Sequence, residues 1–115
     1  MNEKRRLPRK RPDMPLQIRD MLTGELVGRL GNLSLDGMML IADQSIADDA
    51  LYQFGFHLPD AHGRLHPVEI GVHQQWTDTG SARGQTWVGF RFIDIGPDDN
   101  RILREWLMHA EDFVA

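Results

Sequence analysis

Three stretches of this chain alternate apolar and polar side chains with a period of two. Phe54, Phe56 and Leu58 alternate with Gln53, Gly55 and His57. Val68, Ile70 and Val72 share one face of the segment 67–76, and Val88, Phe90 and Phe92 share one face of 87–95. Successive side chains of a strand point to opposite faces, so each stretch reads as a strand with one buried side. Three shorter segments read the same way: Leu16 and Ile18 between polar neighbours, residues 26–34, and residues 38–41. Gly28 and Gly31 permit a bulge or bend in the second of these. Turn signals separate the segments at Thr23-Gly24-Glu25, Asp36-Gly37, 59–63 and 77–84. Six strands joined by glycine-bearing turns predict an antiparallel β-barrel.

After Gly96-Pro97 the period changes. Ile102, Leu103, Trp106, Leu107 and Ala110 fall at helical spacing, and Phe113 and Val114 extend the stripe. Asp98 is placed to cap the first free amides. The expected architecture is all-β with a C-terminal helix. A flexible basic arm occupies 1–12, a six-stranded antiparallel barrel 13–96 and the helix 97–115, in one domain. A chain of 115 residues suffices for one modest core.

Composition narrows the chemistry. There is no Cys, which excludes disulfides and thiolate catalysis and fits a reducing compartment. No apolar run approaches the roughly 20 residues that span a bilayer, and no apolar stretch follows the basic N-terminus as in a secretory signal. A cytoplasmic protein without membrane insertion is expected. The total charge of −4 is unevenly distributed. Lys4, Arg5, Arg6, Arg9, Lys10 and Arg11, against Glu3, give the first eleven residues a net +5 and leave −9 for the remainder. A basic arm on an acidic body suits a small anion gathered locally better than a DNA or RNA surface, which needs cations spread over a face.

Arg5 and Arg9 lie four residues apart with Arg6 between them. A guanidinium bonds two phosphate oxygens at once, pairs with the O6 and N7 edge of guanine, and lies flat against a base. Asn32 and Ser34, two apart, share one face of a strand and offer an amide and a hydroxyl. Gly37 allows a close approach that a side chain blocks. On their own, residues 32–37 also read simply as a turn.

Taken together, these residues resemble the PilZ domain family, bacterial receptors for cyclic di-GMP. Arg5 and Arg9 match its RxxxR motif, and Asn32, Ser34 and Gly37 match the (D/N)xSxxG motif that follows. Gly89 and Phe92 resemble the family's late GxxF strand, and the likeness runs from about residue 4 to 110. It implies a six-stranded barrel of PilZ type with a terminal helix. It implies that Arg5 and Arg9 hold phosphate and guanine, with Arg6 as a further contact. Asn32 and Ser34 would reach the guanine edge or the ribose-phosphate, and Gly37 would shape the turn. Lys10 and Arg11 are more charge than the pattern asks for, and need touch nothing. The short lead before the arm suggests a stand-alone domain.

Trp76 precedes a polar hairpin, where an exposed indole would stack on guanine or else pack at the barrel end. His57, His62, His66 and His73 lack tight ligand spacing, so no metal site is expected. No nucleophile has an adjacent base, so no enzyme and no cofactor are expected. The expected role is a cyclic di-GMP receptor whose arm folds onto the barrel with ligand, altering contact with a downstream protein. A protein-interaction module of the same fold that ignores the nucleotide is the alternative, and a small nucleic-acid binder is the weakest.

Overall fold

The computed structural model describes residues 7–79 and 85–109, with the backbone of 113–114. Its elements in chain order are β1 (Arg9–Lys10), β2 (Gln17–Asp20), β3 (Leu26–Leu33), β4 (Gly37–Ala42), β5 (Leu51–Pro59), β6 (Leu65–Asp78), β7 (Thr86–Ile95), α1 (Pro97–Met108) and β8 (Phe113–Val114). Antiparallel pairing runs β2-β5-β6-β7-β4-β3, and β3 pairs again with β2. Six strands therefore close into a barrel with no free edge in the ring.

The alternating residues line its interior. Ile18, Leu33, Met38, Leu40, Phe54, Leu58, Ile70, Val72 and Val88 are fully buried. Phe54 packs edge-on against Phe90 at 5.0 Å and stacks with Tyr52 at 5.4 Å between ring centroids. Helix α1 lies against β5 and β6 and buries Leu103, Trp106 and Leu107 in the same core. No helix of the described residues is long and apolar enough to cross a membrane.

β3 is eight residues long and is edged in two instalments. Gln17 of β2 faces Arg29, and Lys10 of β1 faces Leu33 farther along the same edge. Pro12 and Pro15 lie in the chain between these two strands, where a residue without an N–H cannot continue a ladder. The arm expected to be flexible through residue 12 is thus docked at Arg9 and Lys10, because β3 outruns β2 and its exposed edge accepts them. Arg5 and Arg6 lie outside the described residues.

The helix also departs from expectation at both ends. Gly96 is its N-cap and Pro97 opens it, so Asp98 does not cap but adds negative charge to the first turn. It ends at Met108 rather than 115. Phe113 and Val114 instead pair with Lys10 and Arg9 as β8. The last turn carries no basic residue to favour its carbonyl end, and Phe113 and Val114 suit a strand better than a helix.

The β5–β6 turn is held by one carboxylate. Asp60 accepts from the amides of His62 and Arg64 at 2.8 and 2.9 Å and contacts His66 Nε2 at 2.8 Å. The His66 hydrogen bond first, and these amides with it, hold the carboxyl well below its usual value. A depressed carboxylate stabilises the fold fully above the ordinary value of 3.8, and the contribution fades as pH falls toward the lower folded value. Asp60→Ala is therefore expected to lower the Tm at pH 7, with the gap to wild type narrowing below about pH 4 in a thermal-melt series. Phe54→Ala is expected to lose about 3–5 kcal/mol in denaturant unfolding.

Candidate functional site

The two arginine-and-asparagine motifs meet in space across 23 residues of sequence. Arg9 Nη1 donates to Asn32 Oδ1 at 2.5 Å. Pairing of Lys10 with Leu33 makes this possible, because it sets Arg9 beside the end of β3. Asn32 itself is aimed by a register shift between Leu30 and Asn32, at Gly31. Without the extra residue, Asn32 would occupy an inward position like Leu30. A Cβ on Gly31 would lie 2.5 Å from Met39 Cε, so the glycine leaves room for that side chain.

From Asn32 an outward-facing row crosses the barrel wall. Asn32 faces Met39, Met39 faces Gly89, and Gly89 faces Trp76. Cross-strand partners project from the same face, so these four side-chain positions line up over three strand spacings, about 14 Å. Asn32 Nδ2 sits 4.0 Å from Met39 Sδ. Trp76 lies flat over Gly89: a Cβ there would come within 2.2 Å of the indole. Trp76 as a whole remains 47% exposed. It faces outward because β6 shifts register between Gln74 and Trp76, which interrupts the inward series Ile70, Val72, Gln74. Trp76 thus packs on Gly89 and keeps part of its surface exposed.

Ser34 and Gly37 have inward duties. Ser34 is buried, and its hydroxyl donates to Asp36 Oδ1 at 2.8 Å. Its amide donates to the Gly37 carbonyl at 2.9 Å, and the Asp36 carbonyl accepts from Phe92 N at 2.9 Å. Ser34 therefore braces the β3–β4 turn beneath the site, where it was expected to reach outward. Gly37 is needed for proximity, since a Cβ would lie 2.5 Å from the Phe90 carbonyl oxygen.

Sequence reasoning missed several groups on this wall. Arg29, Ile41 and Trp87 form a second row beside the first. Arg91 faces Gly37 in a third. Arg11 and Arg29 line an open cleft of about 310 Å³ with Met14, Gly31 and Ile41. Among the described residues, the side chains of Arg11, Arg29 and Arg91 have no hydrogen-bond or ion-pair partner. Alternation with the inward Val88 and Phe90 puts Trp87 and Gly89 on the outer face, but no local signal shows which arginines face which neighbours. Lys10, whose charge the motif does not require to touch anything, is 8% exposed: Nζ donates to the Trp106 carbonyl at 2.8 Å and lies 4.0 Å from the centroid of its ring. No group of three or more His, Asp or Glu among the described residues could hold a metal ion.

The sequence matches the family described as PilZ domain over residues 3–109. The chain belongs to that family. Solved structures similar to this PilZ domain include the inhibitor of motility MotI/DgrA of Bacillus subtilis, at 14% identity and a TM-score of 0.73, covering 93% of this chain and 51% of that one. YcgR from Escherichia coli in complex with c-di-GMP is 18% identical with a TM-score of 0.68, covering 92% and 45%. The PilZ domain of YcgR with c-di-GMP is 16% identical with a TM-score of 0.57, covering 90% and 88%. The chain spans about half the length of the first two. At these identities the likeness is one of fold, the closed six-stranded barrel with its C-terminal helix. No curated protein matches the chain at a significant level.

The packing of Trp76 on Gly89 is directly testable. Gly89→Ala is expected to lift the indole off the wall, red-shifting tryptophan emission and increasing quenching by iodide. An unchanged spectrum would mean that the indole does not rest on Gly89.

Proposed function

We propose that this PilZ domain is a receptor for cyclic di-GMP, bound on the wall that carries Arg9, Asn32, Met39, Gly89 and Trp76. The observation that carries the reading is the Arg9–Asn32 hydrogen bond, which joins the two matched motifs at one end of an outward row. An arginine has five donors, and one bond to Asn32 leaves the rest of the fork for phosphate. Asn32 keeps its amide group toward the same surface and can read a guanine edge. Trp76 offers an exposed indole face at the far end of the row for stacking. Arg5 and Arg6, which precede β1 in the sequence, are assigned in this reading to the phosphates. Ser34 and Gly37 support the wall from beneath, Ser34 through the Asp36 turn. The guanidiniums of Arg29 and Arg91, unpartnered among the described residues, add positive potential on a domain whose net charge is negative.

The domain acts by binding rather than catalysis and takes no metal. Charge-assisted hydrogen bonds contribute about 1.5–3 kcal/mol each and a stacked base about 1–3 kcal/mol. A few of each, less the cost of ordering the arm, corresponds to an affinity near micromolar, about −8 kcal/mol. Gathering Arg5 and Arg6 onto the barrel changes the surface offered to a downstream protein.

Calorimetric titration of cyclic di-GMP tests the reading. Wild type is expected to bind near micromolar, Arg9→Ala and Asn32→Ala at least tenfold more weakly, and Trp76→Ala a few-fold more weakly, all with unchanged circular dichroism. Absence of binding by wild type would favour the interaction-module alternative. Equal affinity in Arg9→Ala and Asn32→Ala would remove these residues from the site.

A further inference from the structure

The carbonyl end of α1 is supplied with its positive charge from outside the helix. The last four carbonyls of a helix have no intrahelical donor, and the dipole makes that end negative. In α1 the Glu105 carbonyl accepts from His109 N and lies 2.8 Å from His109 Nδ1, and no Lys or Arg lies in the last turn. The Trp106 carbonyl is instead met by Lys10, 96 residues away in sequence. The ammonium also stands over the indole of Trp106, a cation–π contact that gains strength where water is excluded. A lysine this buried is tolerated only when its charge has partners.

Lys10 is the neighbour of Arg9 on a strand of two residues. The two side chains point to opposite faces of β1, Lys10 inward to the helix and Arg9 outward to Asn32. β1 is held to β3 at one register position, Lys10 to Leu33. So short a ladder cannot fix a strand alone. Pairing with β8 and the Lys10–Trp106 contact are the further fastenings.

We propose that Lys10 is a positioning residue of the nucleotide site: by clamping β1 to the C-terminal end of α1 it holds Arg9 against Asn32, and it couples occupancy of the site to that helix end. The coupling rests on the cyclic di-GMP reading; the positioning does not. A pull on Arg9 from bound phosphate is felt at Lys10 and so at Trp106, which lies outside the nucleotide wall. The end of α1 is then the part of the domain that reports the ligand.

The experiment uses the full chain, labelled with ¹⁵N, as wild type, Lys10→Met and Lys10→Arg. Methionine keeps much of the apolar stem and removes the charge; arginine keeps a donor. Without ligand, Lys10→Met is expected to shift the Asn32 side-chain amide pair and the Trp106 indole resonance while the Phe54 and Gly55 amides stay in place. Lys10→Arg is expected to return both signals most of the way. With cyclic di-GMP, the Trp106 indole of wild type is expected to shift on saturation, and the affinity of Lys10→Met to fall at least tenfold. Trp106→Phe keeps the carbonyl and reduces the ring contact, so it should give a smaller change in the same direction; it decides the matter if Lys10→Met does not fold. A purely structural lysine would lower the Tm and leave the Asn32 amide and the affinity where they were, and that result overturns the proposal. If wild type binds no cyclic di-GMP, the functional reading fails, while the Asn32 and Trp106 signals of the free protein still decide the positioning role.

Discussion

Strand β3 is the constraint on which the rest of the molecule depends. It pairs with β4 along one side and on the other with β2 and then β1. The first pairing on that second side closes the barrel; the second carries Arg9 to Asn32. A shorter β3 would still close the ring but would leave the arm without the edge that sets Arg9 beside Asn32. Gly28 makes the bend at the β2 end possible, with φ of 154° and a Cβ that would fall 2.2 Å from the Ile41 carbonyl oxygen. The fold and the candidate site are thus consequences of one strand whose two edges are unequally filled.

Most of the fold was legible because its signal is periodic. Phe54, Phe56 and Leu58, then Val68, Ile70 and Val72, lie inside as the alternation requires. Leu103, Trp106 and Leu107 lie on the core side of α1 as a 3.6-residue repeat requires. What escaped is what breaks period. Gly31 marks a permissible bulge but not the side to which it turns Asn32, and no glycine marks the extra residue before Trp76. The helix end was misplaced because the apolar stripe continues into Phe113 and Val114, whose partners are Lys10 and Arg9 at the far end of the chain. Pairings so distant in sequence leave no trace in a local window.

The site was legible as residue types and illegible as geometry. Arg9 and Asn32 were paired by motif spacing, and their hydrogen bond gives that pairing a physical form. Ser34 belonged to the same motif, yet its hydroxyl serves Asp36 and the turn. A motif records which residues a site needs and not which of them face out. Lys10 makes the opposite point: an apparent surplus of charge in a basic arm is a buried contact to a helix terminus.

The central claim is that one wall of the barrel, from Arg9 and Asn32 across Met39 and Gly89 to Trp76, receives cyclic di-GMP. Mapping the ligand by chemical-shift perturbation on the ¹⁵N-labelled chain tests it most directly. The account predicts saturable shifts concentrated on the outward positions of β3, β4 and β7, on Arg9, and on the Trp76 indole. Shifts confined to the opposite wall, where Arg19, Met21, Gly55 and His57 line a cleft of about 400 Å³, would contradict it.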